Sequence, residues 1–573
     1  MRALLRFFVL GLTCICLDAR QVTITLLATT DLHGNILPWD YLTGKPAARG
    51  LAKLATLIQA ERAKNPNNLL IDCGDTIQGT PLEATYQNYI RTGTLPDGVE
   101  LPANLPGDPM MLVMNYLKYD AMVVGNHEYN YGLKNLARAR ADAHFPWLSA
   151  NTATITGPGK PFATHIIKTI DGIKVAVIGV TTPGIPSWEK PENYSGRRFL
   201  AVAEAVRQTL DEIRRTHHPD LVIVAAHAGL DRDPATGALR AHEAKGDNPV
   251  YEVATGIPGI DAIVYGHTHL EVPELRLSTV LLMQPKNWGI SLGRMELVLE
   301  NGTGSKWKVV HKTSTVIPVT HDTPADSEIV RMAQPYHQLA EQALRQPLTQ
   351  SSTSLSANAS RIEDTAIIDA IHLVQLHYAK ADVSFASSFN PRATIPKGAV
   401  TARQLAGIYL YDNELYAIEG NGKIVREALE NAARFYLGCP NSECKTNHLI
   451  NRAVLPYNFD MAAGLNYEID LTKPEGQRIT NLMFRDKPLR DDQPLRIAVN
   501  NYRAGGSAGY EMFKNAKVVW RSNDDIRSLM MRYYSEGHPF PSEADHNWRI
   551  IPEPAHRILK EEILLQNQRY GSQ

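Results

Sequence analysis

Cysteine is scarce: the chain has 573 residues and 5 cysteines, of which Cys14 and Cys16 fall in the first apolar stretch. No second Cys/His pair stands near Cys439 and Cys444, which argues against a zinc site there. An excess of one charge is missing too. Lys+Arg total 59 and Asp+Glu 60, a net charge of -1. That balance leaves no electrostatic footprint for duplex nucleic acid or an anionic membrane, although local charge can still bind a nucleotide-sized ligand. Beyond the N-terminus no apolar run reaches the ~20 residues of a membrane span. There is no internal repeat. What remains is ordinary: 44% hydrophobic and 21% charged residues, as in soluble globular chains. The length suits three to four domains of ~150 residues or two large ones.

Arg2 and Arg6 precede or interrupt an apolar run over 4–17, and the small Ala19 follows. This is the pattern of a secretory signal over 1–19, which predicts a periplasmic or secreted protein. A membrane anchor, a lipoprotein cysteine or a plain buried segment are the other readings of the same residues. Cys73 lies in an apolar strand-like run and reads as inert core. Cys439 and Cys444 flank a turn-rich Pro-Asn-Ser-Glu spacer. In an oxidising compartment they would close a small loop as a disulfide; the alternative is two free thiols.

From 20 to 320, short apolar runs alternate with amphipathic stretches. Candidate strands span 22–29, 68–71, 121–124, 175–180, 221–225 and 262–265, and helical patterns span 51–62 and 201–215. The alternation predicts an α/β layered domain. A helix over 326–344 leads into the polar tract 350–358, and the region 321–360 reads as linker and hinge. A second mixed α/β domain is expected over 361–535, followed by a tail over 536–573 that wraps the surface or frays.

Five of the strand-like runs lead into metal-ligand residues. They are followed by Asp31-Leu32-His33-Gly34-Asn35, Asp72-Cys73-Gly74-Asp75, Gly125-Asn126-His127-Glu128, His227 and Gly266-His267-Thr268-His269. In α/β sheets the loops at strand carboxyl ends converge on one crevice, so these runs can aim Asp, His and Asn at one point. Carboxylate, imidazole and amide donors suit manganese, iron, cobalt or zinc. Two such cations ~3.5–4 Å apart clamp a phosphoryl group and acidify a bound water. A lone His at a strand end is usually structural; five clusters in this order point to a dinuclear site.

The series Asp31-x-His33, Gly74-Asp75, Gly125-Asn126-His127-Glu128, His227 and Gly266-His267-x-His269 resembles the calcineurin-like metallophosphoesterase motif set. Asn500-Asn501-Tyr502-Arg503-Ala504-Gly505-Gly506 resembles the C-terminal domain of the 5'-nucleotidase family, nearest its bacterial periplasmic 2',3'-cyclic-nucleotide 2'-phosphodiesterase/3'-nucleotidase branch. The resemblance implies an N-terminal four-layer αββα sandwich joined to a 5'-nucleotidase-type α/β domain. It implies hydrolysis of 2',3'-cyclic nucleotides to 3'-nucleotides, and of these to nucleoside and phosphate, by a metal-activated hydroxide. Asp31, His33 and His269 would hold one metal, Asn126, His227 and His267 the other, and Asp75 would bridge them. His127 would steady the phosphoryl oxygens or protonate the leaving oxygen. Where 5'-nucleotidases carry an Asp to orient that His, this chain has Asn130, which can hold a ring N–H but lacks a carboxylate's charge.

In the second domain the resemblance makes Tyr411 and Tyr502 a sandwich for the base, a contact that tolerates any base. Asn413 would meet a base edge, and Arg361 and Arg392 would bind substrate anions. Ser507-Ala508 stand where 5'-nucleotidases bind ribose hydroxyls with an Asp, and losing that charge suits a substrate phosphorylated at its 2' and 3' oxygens. The expected partner is a small nucleotide. A 5'-nucleotidase or UDP-sugar hydrolase, a thiosulfohydrolase relative and a binding protein with a dead site are the rival readings.

Overall fold

The structure is a computed structural model describing residues 20–570, except 97, 103–104, 156–158, 241–245, 302–305, 412, 440–442 and 445. The leader expected over 1–19 lies outside the described residues.

Two six-stranded sheets build the N-terminal domain. The first runs in the order Trp307–Pro318, Ser291–Asn301, Arg20–Thr29, Asn68–Asp72, Ala121–Val123, Trp147–Leu148. The second runs Val272–Leu277, Val280–Gln284, Ala262–Tyr265, Leu221–His227, Ile173–Thr181, His165–Ile170. The inner strands pair in parallel; antiparallel strands flank the second sheet on both sides and the first on one, the other edge, Trp147–Leu148, being parallel. Ile24, Leu26, Leu69 and Ile71 of the first sheet meet Val175, Val177, Ile223 and Val264 of the second in a core between the sheets. The alternate residues face outward onto helices. Leu27, Leu70 and Met122 lie under Leu51–Lys64, Pro81–Thr92, Pro109–Tyr116 and Ser327–Arg345. Ile178, Val222, Val224 and Ile263 lie under Val202–Thr216 and Val250–Gly256. Burial on both faces explains why these strands read as continuous apolar runs. Helix, sheet, sheet, helix is the expected four-layer order.

The helix expected over 326–344 is Ser327–Arg345, with the Asp326 side chain accepting from the backbone of Glu328 and Ile329 at its start. The tract after it is not an open linker. Pro347–Ser351 pairs with Gly398–Thr401, and Leu355–Ser356 with Thr394–Ile395. Ala357 and Ala359 are buried in the C-terminal core. Serine and threonine composition suggests a loop, but backbone pairing needs no apolar side chain, and the tract lies against a core supplied from elsewhere.

The C-terminal domain centres on a five-stranded sheet in the order Asp460–Ala463, Val383–Ser387, Pro494–Asn500, Glu414–Asn421, Val518–Asp525. Nor is the tail loose. Trp548–Ile551 joins Asn466–Asp470 as a parallel strand. The helix Glu553–Tyr570 then buries Ala555, Leu559 and Ile563, spaced four apart, in the same core. Ile558 packs beside them, so a narrow apolar stripe anchors this otherwise polar segment. Cys439 and Cys444 are disulfide-bonded, and Cys73 is a buried free thiol. No helix among the described residues is long and apolar enough to cross a membrane.

Candidate metal centre and active site

The site lies on the seam where strands of both sheets end. Arg20–Thr29, Asn68–Asp72 and Ala121–Val123 of the first sheet run into the loops bearing Asp31, His33, Asp75, Asn126 and His127. Leu221–His227 and Ala262–Tyr265 of the second deliver His227, His267 and His269. Ligand atoms of Asp31, His33 and His269 lie within 4.8 Å of one another, and so do those of Asp75, His227 and His267. Asp75 lies between the groups, its Oδ2 3.1 Å from Nε2 of His227 and 3.9 Å from Nε2 of His33. Asn126 Oδ1 lies 2.9 Å from the same His227 nitrogen. The structure therefore brings together all seven residues expected to ligate.

Convergence on this scale strains the backbone. Asp31, His33, Asp75, His267 and His269 all have positive φ, between 47° and 76°. Left-handed non-glycine residues are uncommon, and clustering of this kind marks functional loops. Gly266 permits the closest approach: a Cβ there would lie 1.8 Å from Thr30 Oγ1 and 2.7 Å from Asp31 Oδ2.

The outer contacts leave the donors facing inward. His33 Nδ1 lies 3.0 Å from the Gln78 carbonyl, and His227 Nδ1 lies 2.8 Å from that of Cys73. Each carbonyl requires an N–H, so it is the Nε2 of each ring that faces the centre. Burial lowers His33 to about 4 and His267 to about 3, which keeps both rings neutral. Burial also opposes charge on His227, but the Asp75 carboxylate outweighs it and raises that ring to about 10. Burial pushes Asp31 up, yet the hydrogen bond and charge of His269 hold it below the usual carboxylate range. Imidazoles beside ionised carboxylates match the donor chemistry of a divalent-cation site: His33 and His267 are neutral as they stand, and a cation would displace the proton that Asp75 holds on His227.

Glu128 stands inside one of the motifs, but the resemblance assigns it no role. Its buried carboxylate accepts from the backbone N–H of Gly125 at 2.6 Å, Asp75 at 2.9 Å, Thr76 at 2.6 Å and Ile77 at 3.2 Å. It ties two ligand loops together, and burial raises its pKa. His127 donates its backbone N–H to Asp75 Oδ1 at 2.8 Å, and its Nδ1 lies 2.6 Å from Asn130 Oδ1.

The second domain reaches into this group through Tyr502, on the short helix Asn501–Ala504 capped by the Asn500 side chain. The Tyr502 hydroxyl lies 3.2 Å from His127 Nε2. Its ring stacks on Trp188 with centroids 5.8 Å apart, and Trp188 lies 5.5 Å from the His267 ring. Sequence reasoning misses Trp188; a lone Trp outside any motif carries no signal. Tyr411 is 39% exposed and packs edge-on against Phe389 at 5.0 Å. Arg361 is half-buried beside Tyr411, donates to the Ser388 carbonyl at 2.7 Å, and is lowered to about 10 by burial. Asn413 is buried and turns its side-chain N–H to the Tyr409 hydroxyl at 3.2 Å. Arg392 is exposed. The partners found for Tyr411, Arg361, Asn413 and Arg392 lie within the second domain and not in the ligand group.

Residues 24–271 match the calcineurin-like phosphoesterase family, and residues 344–515 match the 5'-nucleotidase C-terminal domain. The chain is 30% identical to the trifunctional nucleotide phosphoesterase protein YfkN of Bacillus subtilis over 96% of its own length, while spanning 40% of that relative. It is 30% identical to the 2',3'-cyclic-nucleotide 2'-phosphodiesterase/3'-nucleotidase of Salmonella typhimurium, covering 93% of this chain and 90% of that one. Among solved structures, a Staphylococcus aureus protein in complex with alpha-ketoglutarate superposes with a TM-score of 0.78 at 25% identity, over 92% of this chain and 100% of that one.

Proposed function

This chain belongs to the 5'-nucleotidase family of calcineurin-like metallophosphoesterases, and we propose that it hydrolyses 2',3'-cyclic nucleotides to 3'-nucleotides, and 3'-nucleotides to nucleoside and phosphate. The observation that carries this reading is the pair of donor groups, Asp31/His33/His269 and Asp75/His227/His267, joined through Asp75. Two divalent cations there, of zinc, manganese, cobalt or iron, would supply Lewis-acid charge and an acidified water. Asp31, His33 and His269 would hold one, Asn126, His227 and His267 the other, with Asp75 shared.

The remaining steps belong to the chain's own side chains. His127 Nε2 is the atom that delivers a proton to the leaving oxygen. Tyr502 and Tyr411 stack on the base and accept any base, because every base offers a π-face. Arg361 and Arg392 supply positive charge for the substrate anion. The base-holding residues are on one domain and the ligands on the other, so the substrate spans both, and within 321–360 the domains turn where the helix Ser327–Arg345 of the N-terminal core gives way to the strand Pro347–Ser351 of the C-terminal domain. Export to the periplasm or medium is supported by the basic and apolar start of the chain and by the Cys439–Cys444 bond.

The test is a panel of 2',3'-cyclic AMP, 3'-AMP, 5'-AMP, a UDP-sugar and bis-p-nitrophenyl phosphate, assayed with each candidate metal. Turnover of the first two ahead of 5'-AMP and the UDP-sugar is expected. A preference for 5'-AMP would move the protein to the 5'-nucleotidase branch.

A further inference from the structure

A carboxylate is missing at position 130, yet one stands a single hydrogen bond further on. Asn130 Nδ2 donates to Glu189 Oε2 at 2.6 Å, while Asn130 Oδ1 faces His127 Nδ1 at 2.6 Å. Glu189 is buried, and its other oxygen accepts from Asn193 Nδ2 at 2.8 Å and from the backbone of Lys190 at 2.7 Å. It follows Trp188, whose carbonyl accepts from Asn501 of the second domain, and precedes Lys190, whose ammonium lies 2.7 Å from Glu414 there.

We propose that Glu189 is a positioning residue that sets, through Asn130, which nitrogen of His127 carries the hydrogen. This rests on the hydrolase reading above. The argument is one of donors and acceptors. Burial raises Glu189, against which the N–H groups of Asn193, Lys190 and Asn130 favour its ionised form; as a carboxylate it can only accept, so the Asn130 edge facing it is the NH2. The opposite edge, facing His127, is then the carbonyl oxygen, which demands an N–H at Nδ1. With Nδ1 committed, Nε2 is the atom that takes up and delivers a proton, and it is the nitrogen facing Asp75 Oδ2 at 4.0 Å and the Tyr502 hydroxyl at 3.2 Å. An amide alone lacks this authority. Rotated by half a turn, Asn130 would donate to Nδ1 and place the hydrogen on Nε2, where it could not be lost without leaving an imidazole anion. Glu189 removes that choice, and Asn193 and the Lys190 backbone hold it in place.

Glu189→Gln keeps the shape but can present either edge, so Asn130 is free to turn. The probes are 3'-AMP, whose nucleoside alkoxide needs a proton to leave, and bis-p-nitrophenyl phosphate, whose phenolate leaves without one. For Glu189→Gln, kcat on 3'-AMP should fall about 10- to 100-fold with KM within about twofold, and kcat on the activated ester should fall less than about threefold. Adding Asn130→Asp to Glu189→Gln should bring kcat on 3'-AMP back to within about threefold of the parent, because an accept-only group again faces Nδ1 and the amide introduced by Glu189→Gln can donate to it. A merely structural Glu189 predicts equal losses on both esters and no rescue, and either result would overturn the proposal. Should Glu189→Gln fold poorly, Glu189→Asp decides: an accept-only side chain must keep the parental ratio of the two turnovers, and a fallen ratio overturns the claim. A parent protein inert on both esters would overturn the hydrolase reading itself, which separates that failure from this one.

Discussion

The hydroxyl of Tyr502 and Nε2 of His127 face each other at 3.2 Å across the boundary between the two domains. The ring expected to hold the base thus also touches the residue expected to serve the phosphoryl group. The two roles of Tyr502 separate by substitution. Tyr502→Ala should raise KM for nucleotides roughly 5- to 150-fold, the worth of ~1–3 kcal/mol of stacking. Tyr502→Phe, which keeps the ring, should change it less than about fivefold, the value of about 1 kcal/mol for one hydrogen bond. Bis-p-nitrophenyl phosphate, with no base, should show little change in KM for either variant. An unchanged nucleotide KM in the alanine variant would remove Tyr502 from the base site.

Asp75 is the residue on which both donor groups depend. Its Oδ2 lies 3.1 Å from His227 Nε2, 3.9 Å from His33 Nε2 and 4.0 Å from His127 Nε2. Asp75→Asn preserves volume and removes the shared charge. Turnover should fall at least about a thousandfold, and metal analysis of the purified protein should find fewer ions per chain than in the parent. Retention of the parental metal content would deny Asp75 its bridging place.

The ligand set is legible in the sequence because each Asp or His closely follows an apolar run and sits near glycine, and parallel strands carry such residues to one edge. The same logic yields the layered N-terminal domain. What stays hidden is tertiary. Glu128 stands in a motif, yet its bonds to Asp75, Thr76 and Ile77 join segments about 50 positions apart. Glu189 lies 59 positions from Asn130 in a stretch with no motif, and no spacing rule connects them. The strands Leu355–Ser356 and Trp548–Ile551 read as linker and tail because their neighbours are polar; their register is set by partners elsewhere in the chain.

Gly74 should prove irreplaceable. Its φ is +93°, and an added Cβ would lie 2.7 Å from the Gly125 nitrogen and 2.8 Å from the Val123 carbonyl, backbone atoms that cannot step aside. Gly93, at the end of Pro81–Thr92, has φ +75° with nothing within 4 Å of the same position. Gly93→Ala therefore isolates the conformational cost, about 1–2 kcal/mol by chemical denaturation. Gly74→Ala adds the collision and should exceed about 3 kcal/mol, with loss of metal uptake, since it displaces the loops of Asp75 and Asn126 together. Equal costs for the two substitutions would mean that the strand ends are looser than their contacts imply.

A cluster of three carboxyl groups in the C-terminal domain sets a pH dependence of stability. Asp364, Asp369 and Asp545 have carboxyl oxygens within 4.8 Å of one another. Burial, then the neighbouring Asp364 and Asp545, pushes Asp369 up to about 8. In the unfolded chain the same group ionises near ~3.9. Between these values the unfolded state has released a proton that the folded state keeps, so this group's contribution is full below about pH 4, falls as pH rises, and is gone above about pH 8. Asp369→Asn stays neutral in both states and can still accept from the Asp545 backbone, as Asp369 Oδ2 does at 3.2 Å. In melts with EDTA present to keep cations off the cluster, the Tm of the variant minus that of the parent should grow from pH 5 to pH 8.5. A difference that stays constant across that range would show that Asp369 ionises in the folded protein as it does in the unfolded one.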